Sequence, residues 1–125
     1  MKIITAQEHQ GVESAVVLAL ANDVDPRTLD LNGVDRIDLQ FPAFTDGRAY
    51  SQAFLLRRRL RFAGELRATG DVLIDQLVQM QRIGFDVAVL KDGIDASAAQ
   101  RQLDRYAGFY QGSAVETQPR FAQTT

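Results

Sequence analysis

The 125-residue chain contains no cysteine. Disulfides, thiolate nucleophiles, zinc–thiolate sites and protein-ligated iron–sulfur clusters are excluded together by that one absence. Histidine occurs once, as His9, in a polar N-terminal segment without a neighbouring serine, cysteine or second histidine. A catalytic triad or a zinc site built on it is not expected. Long apolar runs are also missing. The longest, AVVLALA at residues 15–21, falls far short of the ~20 residues a membrane-spanning helix needs. The opening MKIITAQEHQ lacks the basic start, apolar middle and small-residue cleavage site of a signal peptide, so the expectation is a cytoplasmic protein. Positive charge is not in excess: 14 Lys and Arg stand against 16 Asp and Glu. A chain-wide basic footprint for nucleic acid is thereby ruled out. Neither a G-x-G-x-x-G nor a G-x-x-x-x-G-K-[ST] motif occurs, so dinucleotide and nucleoside-triphosphate binding lack motif support. Asp71 with Asp75, and Asp92 with Asp95, sit at helix starts, where acids complement the positive helix end. No cofactor and no metal site is expected.

What the chain does have is an ordinary soluble composition, 46% apolar and 24% charged, in a length that suits one domain. Residues 1–13 and 113–125 are polar and read as peripheral or frayed. Residues 14–21 read as a buried strand ended by Asn22-Asp23. Asp25-Pro26 signals the start of a short helical turn. Residues 36–41, RIDLQF, alternate strictly, with Ile37, Leu39 and Phe41 against Arg36, Asp38 and Gln40. This is a strand, and Pro42 ends it. Ala49, Ala53, Leu56 and Leu60 recur at helical spacing, with Gly64 as the stop. Residues 65–68 form a second alternating strand. Asp71 is placed as the N-cap of the next helix, whose stripe is Leu73, Leu77 and Met80 and whose terminator is Gly84. Residues 85–90, FDVAVL, make a further strand. Ser97-x-x-Gln100 resembles a capping box opening a helix through Leu103, Tyr106 and Tyr110 to Gly112.

Strands alternating with helical links of ~20 residues predict an α/β fold. The sheet is small and mostly parallel, with about four strands and right-handed crossovers, half-barrel-like. Parallel strands are ordinarily apolar on both faces, yet Asp38, Gln40, Glu65 and Arg67 share one face here. Such a face is open to solvent, lines a polar interior, or is covered by a second copy in a homodimer; the last is favoured.

In open α/β sheets, ligands sit beyond the carboxyl ends of the strands. Asp46-Gly47-Arg48, Arg67-Ala-Thr-Gly70-Asp71 and Lys91-Asp92-Gly93 are expected at that edge, with helices starting near Ser51 and at Asp71. Unpaired N–H groups beside Arg48 and Arg67 suit a sulfate, phosphate or carboxylate. In the plainer reading Asp46 and Asp71 are caps, the two arginines are their ion-pair partners, and Gly47 and Gly70 only shape turns. Arg57, Arg58, Arg59 and Arg61 read as a solvated helix face or as a docking patch for an acidic partner.

The runs FPAFTDGRAYSQAFLLRRRL at 41–60 and GELRATGDVLIDQLVQMQRIGFD at 64–86, with FYQ at 109–111, resemble a bacterial domain-of-unknown-function family. Its members are labelled oxidoreductases of sulfite reduction because their genes lie beside those of sulfite reductase and sulfate assimilation. The resemblance implies an accessory protein of assimilatory sulfate and sulfite reduction. Its partner would be sulfite reductase or another sulfate-assimilation enzyme, or its ligand a small anion. The other reading is a small α/β enzyme acting on a sulfur oxyanion or a phosphorylated metabolite. Asp46, Gly47, Arg48, Ser51, Arg57, Arg67, Gly70, Asp71, Asp75 and Gln76 occupy the family's distinctive words. Ile83 stands where many members are expected to carry cysteine, so thiol chemistry at that position is not available to this chain. Neither nucleic acid nor a membrane is expected as a partner.

Overall fold

The computed structural model describes residues 1–11, 15–43 and 47–109. Five parallel strands form one open sheet: β1 (Lys2–Thr5), β2 (Val17–Leu20), β3 (Arg36–Phe41), β4 (Glu65–Gly70) and β5 (Val87–Leu90). Their order is β1-β5-β4-β3-β2. The α/β class and parallel sheet agree with the sequence pattern, but the strand count is five rather than about four. The additional strand comes from the N-terminal segment that polarity alone marks as peripheral. Ile3 and Ile4 are its apolar residues, one for each face of the sheet.

Four α-helices accompany the sheet: α1 (Ala6–His9), α2 (Arg48–Phe54), α3 (Leu77–Ile83) and α4 (Ala96–Phe109). Helices α2, α3 and α4 all cover one face. There Ile37, Leu39, Phe41, Leu66, Ala68, Ala88 and Leu90 pack against Ala49, Ala53, Leu56, Leu77, Met80, Ala99 and Leu103. Phe41 is fully buried at the centre, edge-on to Tyr50 with ring centroids 5.1 Å apart. Burying such a ring stabilises the fold by about 1.5–3 kcal/mol.

Several helix boundaries differ from the sequence reading for local reasons. After Phe54 the helix widens into a π-turn over Leu55–Arg59, closed by Leu60 N–H donating to Leu55 C=O at 2.9 Å. The extra residue in that turn shifts the phase, so Leu60 leaves the predicted core stripe and reaches the surface. Asp71 is not a cap. The chain turns tightly at Asp71, where Val72 N–H donates to Gly70 C=O at 3.0 Å, and a 3-10 turn over Ile74–Gln76 then precedes α3. At α4 the cap is Asp95 rather than Ser97, its carboxylate accepting from Ala98 N–H at 3.1 Å. The helix reaches Phe109; Tyr110 and Gly112 lie outside the described residues. Asp25 and Pro26 do behave as read, with Asp25 capping a single turn over Pro26–Thr28.

Candidate functional site

Register places Arg36 beside Glu65 and Asp38 beside Arg67 on the sheet face opposite the three crossover helices. Their side chains are bonded to one another. Arg36 donates through Nε to Asp38 Oδ1 at 2.8 Å and through its terminal nitrogen to Oδ2 at 3.1 Å. Arg67 Nε donates to Glu65 Oε2 at 2.7 Å. The two pairs meet at His9, whose Nδ1 lies 2.9 Å from an Arg67 terminal nitrogen and whose Nε2 lies 3.7 Å from Asp38 Oδ2. A guanidinium has no lone pair to offer, so Nδ1 accepts and the ring proton sits on Nε2, facing Asp38.

Part of this face is covered within the chain by α1, which brings His9 to the charges, while Gln40 stays exposed. Thr5 and Glu8 close a reciprocal capping box at its start, and the Glu8 carboxyl is held below its ordinary acidity range by the Thr5 N–H. Ala6 packs on Ile4, Val87 and Val89, and His9 reaches the charges. Arg67 is only 5% exposed. His9, set aside from sequence because it has no chemical neighbour along the chain, is the link between the two buried pairs. A period-2 polar alternation on two adjacent parallel strands was the signal that such a link was needed.

The residues expected at the carboxyl edge separate into groups. Asp46 lies outside the described residues. Gly47 is the N-cap of α2 and Arg48 its first residue, both exposed, as is Ser51 one turn on. Gly70 ends β4 with φ +94°, and a Cβ there would stand 2.5 Å from the Phe41 carbonyl oxygen. Asp71 follows and pairs with Lys91, which joins the carboxyl ends of β4 and β5. Asp75 is exposed in the 3-10 turn, and Gln76 accepts through Oε1 from Leu73 N–H at 3.4 Å.

Two residues do not belong to that edge. Arg67 is inside β4, not in the turn after it, because the strand continues to Gly70. Its side chain is buried on the face away from α2, the helix that Arg48 opens, so the Arg48–Arg67 clamp is not formed. Arg57 sits at the opposite, amino end of the sheet. It donates to the carbonyls of Gly84, Phe62 and Gly64 at 3.0, 2.8 and 2.7 Å and pairs with Asp86. Its role is to tie the π-turn to the starts of β4 and β5.

The remaining arginines of the run behave differently. Arg58, Arg59 and Arg61 are exposed, and no carboxylate among the described residues pairs with them. Phe54 and Leu60 beside them are 45% and 37% exposed, with Arg58 over the Phe54 ring at 5.9 Å. Arg61 holds φ +55°, which a residue with a Cβ adopts only at a cost of about 1–3 kcal/mol.

No group of acidic and histidine side chains among the described residues suits a metal ion. No helix among them is long and apolar enough to cross a membrane. The Glu8 and Asp25 carboxyls are both shifted downward in acidity range. In Asp25 the cause is the Arg27 side chain, which binds it at 2.9 Å. No curated protein matches the chain. The model of a bacterial protein family of unknown function, DUF934, matches residues 15–121, and the chain belongs to that family.

Proposed function

We propose that this protein is an accessory subunit of assimilatory sulfate or sulfite reduction that docks on an acidic surface of its partner enzyme. The docking surface is the turn carrying Arg58, Arg59 and Arg61, with Phe54 and Leu60 as its apolar centre. One observation carries the reading: Arg58, Arg59 and Arg61 stand exposed together in one turn, beside the exposed Phe54 and Leu60, and no carboxylate among the described residues pairs with them. Arg27, Arg36, Arg57 and Arg67 each have an acidic partner within the chain. On a chain with a net charge of -2, such a patch is a local exception and not an overflow of basic residues.

The composition of the patch also fits recognition. Arginine and aromatic residues are enriched at the centres of interfaces, and complementary charge accelerates encounter. The strained φ of Arg61 and the π-turn beneath it are features found at functional segments. The sulfur context rests on the resemblance of residues 41–86 to proteins encoded beside sulfite reductase. Docking is preferred to anion capture because Arg67, half of the expected anion clamp, is bound to Glu65 and His9.

The test is binding of the purified chain to sulfite reductase, measured at low and moderate salt, with Arg58→Glu, Arg59→Glu and Arg61→Glu combined. Binding that weakens with salt and falls by about tenfold or more in the variant supports the reading. Absence of binding, or binding indifferent to both changes, overturns it.

A further inference from the structure

The two outer strands of the sheet end differently. On the β1 side the edge is filled by the side-chain amide of Gln100 from α4. Its Oε1 accepts from Ile3 N–H at 2.9 Å and its Nε2 donates to Met1 C=O at 3.2 Å, as a neighbouring strand would. On the β2 side nothing equivalent occurs among the described residues. Arg36 N–H donates to Val16 C=O, so the ladder turns the backbone groups of Val16, Leu18 and Leu20 toward β3. Those of Val17 and Ala19 point away from the sheet, and no strand lies beyond them among the described residues.

The side chains at this edge are as bare as the backbone. Val16 is 55% and Val17 39% exposed, and Ala19 is exposed as well. Residues 15–21 contain no charge and no proline. Exposed edge strands are ordinarily guarded by an inward charge, a proline, a bulge or a covering element. Gln100 guards β1; β2 carries none of the residue-type guards.

We propose that β2 is a dimerisation edge, pairing antiparallel with β2 of a second copy of this chain. The asymmetry of the two edges selects that occupant. Head-to-tail addition of β2 to the partner's β1 is blocked by Gln100, which removes the route to an open fibre. Only the self-pairing of β2 remains, and it is two-fold symmetric and closes at two. An uncharged strand meets no like charge when it lies against itself. With the axis passing at Leu18, Val17 of each copy lies opposite Ala19 of the other, and both pairs exchange backbone hydrogen bonds. This inference is independent of the arginine patch, which belongs to the amino end of the sheet and the turn after α2.

Sedimentation and light scattering over a concentration series, together with amide exchange, test it. The expected species is twice the 13.9 kDa chain mass, dissociating on dilution. The amides of Val17 and Ala19 should gain protection as concentration rises, while that of Leu18 is protected throughout. Val17→Pro removes an outward N–H without touching the β3 ladder, and Ala19→Lys adds a charge at an exposed site. Either should give a folded monomer of unchanged circular dichroism. If one variant folds poorly, the other and the exchange data still decide. A monomer at all concentrations, or a dimer that both substitutions leave intact, overturns the proposal.

Discussion

The Arg57 guanidinium and the Asp86 carboxylate bind each other across the amino end of the sheet, and Asp86 also accepts from Leu66 N–H at 3.0 Å. The contact joins the π-turn after α2, the second residue of β4 and the residue before β5. Gly84 belongs to the same arrangement, since a Cβ there would stand 2.8 Å from Arg57 Cγ. Arg57→Ala would strand the carbonyls of Phe62, Gly64 and Gly84, and should cost about 2–4 kcal/mol in urea unfolding. Arg57→Lys keeps the charge and loses the planar fork, so it should recover only part of that stability. Equal stability of both variants and the parent would remove the scaffold role.

The buried pair on the polar face makes a sharper contrast. Asp38→Ala alone removes the carboxylate that Arg36 binds through two hydrogen bonds inside the protein and should cost about 3–5 kcal/mol. Arg36→Met combined with Asp38→Leu removes both charges and should lie within about 1 kcal/mol of the parent. A double variant as unstable as the single would mean that the charges contribute more than their own mutual neutralisation.

Gly47 and Gly70 share a place in the family's words but not in the structure. Gly70→Ala meets the Phe41 carbonyl at a positive φ and should lose about 1–3 kcal/mol. Gly47→Ala has open space around it and should change stability by less than about 0.5 kcal/mol. Thermal melts of the two variants, run side by side, would distinguish them.

The Tyr50 hydroxyl is buried with no partner among the described residues, and burial raises its pKa above the ordinary 10. The folded state therefore favours the protonated phenol. Its contribution is fully present below the unfolded value and is lost as pH rises through the folded one. Tyr50→Phe should be neutral or slightly stabilising at pH 7, by up to about 1 kcal/mol, and should flatten the alkaline limb of a stability–pH curve. A loss at neutral pH would show that the hydroxyl has a partner after all.

Arg61→Gly relieves a positive φ and should raise stability by about 1 kcal/mol. The same change deletes one charge of the proposed docking patch, so partner binding should weaken as the melting temperature rises. Stability and binding moving in the same direction would count against a functional reason for the strain.

Much of the architecture was legible because periodicity reports burial. The alternation over residues 36–41 marks both faces of β3, and Asp38, Gln40, Glu65 and Arg67 mark the polar one. The failures have specific causes. Thr69 and Gly70 resemble a turn, so the pattern ends β4 at Ala68 and displaces Arg67 from the sheet to its edge. Asp71 has the residue type of a cap but lies beside Lys91, just past the end of β5. Leu60 kept the helical period while the backbone did not. His9 and Gln100 act on strands far from them in sequence, and local pattern carries no trace of such contacts.

The pairing of β1 with β5 sets an order of events for folding. Lys2 meets Val87, 85 residues further along the chain (87 − 2), whereas β2, β3 and β4 each adjoin their successor. The earliest strand in the chain must wait for the last before it has a neighbour, and Gln100 of α4 closes its outer edge later still. Until then the charged face above β3 and β4 lacks His9 and the helix that covers it. The slow step in refolding should be this closure of the longest loop, with β2 to β5 already assembled and α1 docking as the final act.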